Sequence, residues 1–178
     1  MTAGPPAIAL IGMPGAGKST VGPALALRLG RVWLDTDDEI ERRLGQPIRA
    51  FFVSHGEPAF RDLEQQVVDD LAARRGCVLG TGGGSVLRGA NRDALASRCT
   101  AVYLHATPRV LALRLRGDTA RPLLQGDDPL RRLEALFAQR DGFYRATAHV
   151  VVETDRLDIA MAVETIVQRL SPAALPTG

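Results

Sequence analysis

Lysine is almost missing from this chain: Lys18 stands alone beside 21 arginines. A bias of that strength is compositional, so the one retained lysine marks a place where chemistry requires a compact, flexible ammonium. Aromatic residues are also few, with one Trp, two Tyr and five Phe, and the net charge is only +2. A nucleic-acid binder would carry a basic stripe interleaved with aromatics, and that class is set aside. No apolar run approaches the ~20 residues of a membrane span, so no membrane partner is expected. Residues 1–6 lack the basic flank and long apolar stretch of a secretion signal, which makes a cytoplasmic location the expectation. Cys77 and Cys99 form neither CxxC nor a metal spacing and read as reduced, buried thiols. His55, His105 and His149 have no partners at metal or triad spacing and read as structural or surface residues.

What is present is an alternation of short apolar strands with helices. Residues 7–11 form an apolar run without alternation, the pattern of a strand buried on both faces. A glycine-rich turn and a helix over 21–29 follow, then a strand at 31–34 and a polar helix at 38–44 closed by Gly45. A short helix is expected at 48–53 and a long one at 57–75, where Phe60, Leu63, Val67, Val68 and Leu71 repeat at helical spacing. Strands at 77–79, 101–104 and 150–152 and helices at 109–115, 129–144 and 159–170 complete the series. Residues 116–127 carry Gly117, Pro122 and Gly126 without periodicity and are expected to form a mobile lid. The ends, 1–6 and 171–178, are expected to be disordered. This order predicts one α/β domain over 1–178, a parallel sheet with helices on both faces.

Gly12-Met13-Pro14-Gly15-Ala16-Gly17-Lys18-Ser19 fits G-x-x-x-x-G-K-[ST] and lies between a predicted strand and helix, the setting that the motif needs. Its glycines let backbone N–H groups converge on phosphate oxygens, and the helix start adds unpaired donors. Gly15 to Thr20 would hold ATP, with Lys18 at the β- and γ-phosphates and the Ser19 hydroxyl on Mg²⁺. Pro23, inside the helix that follows, removes a bond back to Ser19. A GTPase would need NKxD and a DxxG after the third strand, and the third strand instead runs into Gly80-Thr81-Gly82-Gly83-Gly84. A small-molecule kinase remains.

The acceptor side is expected at Asp35-Thr36-Asp37, at the carboxyl end of the second strand, where open α/β sheets place ligands. In extended chain the two carboxylates point the same way. Asp35 could then hold Mg²⁺ through water while Asp37 orients the acceptor hydroxyl and takes its proton. The competing reading is a helix N-cap with an acidic first turn, which Asp38-Glu39 resembles. Arg140 shares a helical stripe with Leu133, Phe137 and Tyr144, and a guanidinium on an apolar face needs an anion or must snorkel outward. Arg61 lies between Glu57 and Glu64 at ion-pair spacing, which either pairs it or holds it in place. Two arginines at one pocket suggest an anionic acceptor, most simply a carboxylate. Gly82, Gly83 and Gly84 would bring a ligand against bare backbone. Arg121, kept extended by Pro122, could reach the transferring phosphoryl group from the lid.

These pieces together resemble the shikimate kinases, from about Ile8 to Leu170. The motifs are GMPGAGKST, DTD at 35–37, FRDLE at 60–64, GGG at 82–84, RPLL at 121–124, and Arg140 followed by Tyr144. Their conjunction sets the chain apart from gluconate and adenylate kinases. The resemblance implies phosphorylation of the shikimate 3-hydroxyl by MgATP, a step towards chorismate and the aromatic amino acids. It also implies a monomer with strand order 2-3-1-4-5. By this likeness Asp37 holds the reacting hydroxyls, while Arg61, Gly83 and Arg140 bind the acceptor. Phe52 and Phe60 wall the acceptor pocket, Asp35 serves magnesium at one remove, and Arg121 comes down onto ATP. The chain departs from the family pattern at Asp141-Gly142-Phe143, at Pro23, and around Arg156 to Ile159, where a frequent proline is missing. Arg114 and Arg156 are the candidates for the adenine side.

Overall fold

Five consecutive apolar residues need cover on both faces, and β1 (Ala7–Ile11) has it: all five are buried at the centre of a five-stranded sheet. The structure is a computed structural model that describes residues 4–116 and 128–171. After β1 the chain forms α1 (Lys18–Leu29), β2 (Val32–Asp35), α2 (Thr36–Leu44), α3 (Ile48–Ala72) and β3 (Cys77–Gly80). Then come α4 (Gly89–Arg98), β4 (Cys99–His105), α5 (Pro108–Arg114), α6 (Pro129–Thr147), β5 (Val150–Glu153) and α7 (Ile159–Leu170). The strands are parallel in the order β2-β3-β1-β4-β5. Helix α1 packs with α7 on one face, and α3, α4 and α6 pack in succession on the other. Because every strand runs the same way, all five carboxyl ends open on one edge, which gathers the motifs into one place.

Several element limits differ from expectation for identifiable reasons. Helix α1 starts at Lys18 rather than 21, since Gly17 takes a left-handed conformation (φ 100°) and ends the turn there. Pro23 lies within α1, exposed, and nothing in the structure gives it a functional role. Gly56 (φ 79°) breaks α3 into the two helical segments that the sequence suggests. The sequence reading assigns nothing between 85 and 100, yet a 3₁₀ turn at Ser85–Leu87 leads into α4. Only Asn91, Ala94 and Leu95 of α4 are buried, so its apolar periodicity is too thin to signal a helix. Gly142 does not interrupt α6, which continues to Thr147. Pro5 and Pro6, expected to be disordered, are instead held to the fold: Gly76 N–H donates to Pro5 O (2.8 Å), and Pro6 bridges to Arg75.

Cys77 and Cys99 are both buried and free, and burial pushes the Cys99 thiol up to about 11. Among the described residues no helix is long and apolar enough to cross a membrane, and no group of His, Cys, Asp and Glu could by itself hold a metal. The Asp158 side chain caps α7 by accepting from Met161 N–H at 2.7 Å, far from the phosphate loop in sequence and on the last helix. Asp158→Ala is expected to cost about 1 kcal/mol in urea unfolding and to leave turnover unchanged.

Candidate active site

The turn after β1 is shaped by glycines that no other residue could replace without strain. Gly12, Gly15 and Gly17 have φ of 151°, 83° and 100°. A Cβ on Gly12 would sit 2.7 Å from the Leu104 carbonyl oxygen, which belongs to a central strand and cannot move aside. No side chain caps α1, so its first amides are left for an anion. Lys18 Nζ donates to the carbonyls of Gly12 (2.6 Å) and Met13 (2.9 Å), folded over the loop from which it springs. Ser19 and Thr20 lie exposed on the first turn.

Asp35 is the last residue of β2 and the N-cap of α2, accepting from Asp37 N–H (2.8 Å) and Asp38 N–H (3.4 Å). The capping reading is therefore right for Asp35, and the extended geometry invoked for the Asp35–Asp37 pair is not observed: Thr36 and Asp37 are already helical. Burial raises the Asp35 pKa above the ordinary carboxylate value, against the Asp37 amide and the Lys18 charge, which lower it. Asp37 is exposed on the first turn of α2.

The glycine triplet after β3 meets both halves of the site. A Cβ on Gly82 would lie 3.1 Å from Glu64 Oε1 and 3.3 Å from Asp37 Oδ1. On Gly83 it would lie 2.8 Å from Pro14 Cδ in the phosphate loop, and on Gly84 it would lie 2.3 Å from Arg61 Nη2. None of the three has a left-handed φ, so close approach is what requires glycine here. Gly82 N–H also donates to the buried Thr36 hydroxyl at 3.1 Å.

Arg61 and Arg140 supply two guanidinium groups in different states. Arg61 donates to Glu64 Oε2 (2.7 Å) and to Glu57 Oε1 (3.2 Å), and Ser85 Oγ donates to the other Glu64 oxygen (2.7 Å). Burial lowers the Arg61 pKa, but the Glu64 and Glu57 carboxylates outweigh it and the net shift is upward. Arg140 is only 5% exposed, and its Nε is buried with no hydrogen-bond partner. Among the described residues no carboxylate lies within ion-pair distance of it. Beside it is Tyr144, whose hydroxyl donates to Gly83 O at 2.5 Å and is pushed up to about 12 by burial, against the Arg140 charge. Phe52 and Phe60 stand with ring centroids 4.6 Å apart beside Arg61, whose Cζ is 5.2 Å from the Phe60 centroid.

Of the remaining candidates, Arg114 donates to Thr154 O (2.7 Å) and reaches Ala16 O (3.4 Å), which places it beside the phosphate loop. Arg156 is exposed after β5. Arg121 and the rest of 117–127 lie outside the described residues. The sequence reading missed Thr36, Ser85 and Asn91, the last of which holds the 3₁₀ turn through Ser85 O (2.9 Å). Ser85 had a signal, standing directly after the triplet, whereas Asn91 sits on the unassigned helix and had none.

A glycine-rich anion cradle opening α1, with carboxylates, the buried Arg140 and the partly buried Arg61 near the strand ends, defines a P-loop phosphotransferase for a small acceptor. A family model for shikimate kinase matches residues 14–171. The shikimate kinase of Ralstonia nicotianae is 47% identical over 93% of this chain and 87% of its own, and that of Burkholderia lata is 48% identical over 93% and 90%. Among solved structures, a shikimate kinase from Acinetobacter baumannii in complex with shikimate superposes with TM-score 0.89 at 40% identity, covering 93% of both chains. A gluconokinase from Sinorhizobium meliloti, at TM-score 0.63 and 21% identity, shares the fold alone. The chain thus belongs to the shikimate kinase family, as an ATP-dependent kinase with an alcohol acceptor.

Glu64 is 1% exposed and ties Arg61 to Ser85. Glu64→Ala is expected to destabilise by about 3 kcal/mol in urea unfolding, the low end for a broken buried pair because Glu57 still faces Arg61.

Proposed function

We propose that the chain transfers the γ-phosphoryl group of ATP to the 3-hydroxyl of shikimate, giving shikimate 3-phosphate and ADP on the way to chorismate and the aromatic amino acids. The observation that carries the acceptor is Arg140, a buried guanidinium with an orphaned Nε and, among the described residues, no carboxylate within ion-pair distance. A desolvated cation of this kind is stable only if a ligand anion completes it, and the shikimate carboxylate does so. Arg61 and the backbone at Gly82–Gly84 grip the same molecule, Phe52 and Phe60 wall its ring, and Glu64 acts by holding Arg61.

In the transfer step the 3-oxygen of the acceptor bonds to the γ-phosphorus as the bridging bond to ADP breaks, and the bridging electron pair leaves with ADP. Asp37 orients the hydroxyl and accepts its proton. The amides of Gly15 to Thr20 carry the phosphates of ATP, and Lys18 exchanges its two loop carbonyls for β- and γ-oxygens. Arg121, from 116–127, meets the charge on the transferring group. Arg114 and Arg156 border the adenine side. Ser19 and Asp35 offer a hydroxyl and a half-buried carboxylate, oxygen donors that suit Mg²⁺, with Asp35 acting through water. The ion held there would supply charge neutralisation to the ATP phosphates. The reading is of a cytoplasmic monomer, a single domain acting on small molecules, with no nucleic-acid or membrane partner.

A coupled ADP-release assay tests the acceptor. Shikimate should support turnover far better than gluconate or AMP, because the wrong ligand leaves Arg140 buried and unpaired. Comparable kcat/KM for AMP would favour a nucleotide kinase instead. Asp37→Asn keeps the shape and removes the proton acceptor, so kcat should fall about 10²-fold or more while ATP affinity holds. Near-normal turnover in that variant would reduce Asp37 to a residue of the α2 first turn.

A further inference from the structure

Trp33 is the only tryptophan of the chain and stands two residues before Asp35 on β2, on the same face of the strand. Its indole rests on bare backbone at two points. A Cβ on Gly22, one helical turn beyond Ser19, would lie 2.0 Å from Trp33 Cζ3 and 2.3 Å from Cη2. A Cβ on Gly80, at the end of β3, would lie 2.5 Å from Trp33 Cη2 and 2.9 Å from Asp35 Oδ2. Neither glycine has a left-handed φ, so what each position requires is room for the ring. The indole therefore touches α1 just past Ser19 and β3 beside the Asp35 carboxylate.

We propose that Trp33 is a positioning residue: its indole sets the separation between Ser19 on α1 and Asp35 on β2, and with it the geometry of the Mg²⁺ site they share. The inference rests on the metal reading given above. Mg²⁺ tolerates little departure from octahedral geometry, so the two donors must be held at a set spacing. The helix bearing one and the strand bearing the other meet across this ring. On its outer side an open cavity of about 180 Å³, lined by Trp33, Leu34, Asp35 and Leu71 among others, leaves space into which Asp35 could turn if the ring were trimmed. A smaller side chain would also let α1 settle towards β2.

Calorimetric binding of ADP, with Mg²⁺ and with Mg²⁺ chelated, separates this role from plain packing and needs no acceptor. In Trp33→Phe, ADP affinity in Mg²⁺ should fall roughly 10-fold, the scale of outer-shell changes at metal sites, with Mg²⁺-free affinity unchanged. An equal loss in both conditions, or none, overturns the proposal, even if the melting temperature falls. If Trp33→Phe does not fold, the emission of Trp33 in the native protein decides. It should change more with MgADP than with Mg²⁺-free ADP, and identical responses overturn the proposal. A native protein that bound MgADP as expected but released no ADP with shikimate would sink the acceptor reading and leave this one standing.

Discussion

Three adjacent residues without side chains allow the phosphate loop and the acceptor wall to share one backbone. Gly83 lies against Pro14 of the loop, Gly84 against the Arg61 guanidinium, and Gly82 between Glu64 and Asp37. A methyl group on Gly83 or Gly84 would collide with a neighbour at 2.8 Å or less. The distance from the phosphate loop to the Arg61 guanidinium is thereby set by peptide geometry and not by flexible side chains, the kind of precision that transfer between two bound molecules needs. Everything around the triplet serves to hold it. Thr36 accepts from Gly82 N–H, the Tyr144 hydroxyl donates to Gly83 O, and Asn91 grips the 3₁₀ turn that follows.

Arg61 and Arg140 sit in opposite electrostatic settings. Arg61 is supplied with protein anions, Glu64 and Glu57, and so is oriented before any ligand arrives. Arg140 has no such carboxylate among the described residues, and its Nε is buried without a hydrogen-bond partner. On the proposed function, the desolvation of Arg140 is a local cost that an acceptor anion would offset, the pattern expected where function overrides local consistency. The Tyr144 hydroxyl links the triplet to Arg140, donating to Gly83 O and lying beside the Arg140 charge.

How much of this was legible in the sequence follows the range of the interactions involved. The phosphate loop and the strand series were readable because each depends on residues within one turn or one strand, as Gly12 to Ser19 and Ala7 to Ile11 show. Arg140 was readable because a charge on the apolar stripe of Leu133, Phe137 and Tyr144 breaks a local pattern. Helix α4 was not, since it buries so little of its own surface. The spacing of Asp35 and Asp37 misled, because a capping bond that folds Asp37 into α2 replaces the extended chain. The contact of Trp33 with Gly22 and Gly80 joins three elements that only the folded sheet brings together.

The central claim is that Arg140 serves an acceptor anion rather than the fold, and Arg140→Met tests it most directly, since methionine keeps an unbranched side chain without the charge. The thermal midpoint should stay level or rise, and the shikimate binding isotherm should weaken by about 2–5 kcal/mol, the usual loss when a buried charge pair is broken, with ATP affinity unchanged. A destabilised protein that binds shikimate as tightly as before would contradict the account.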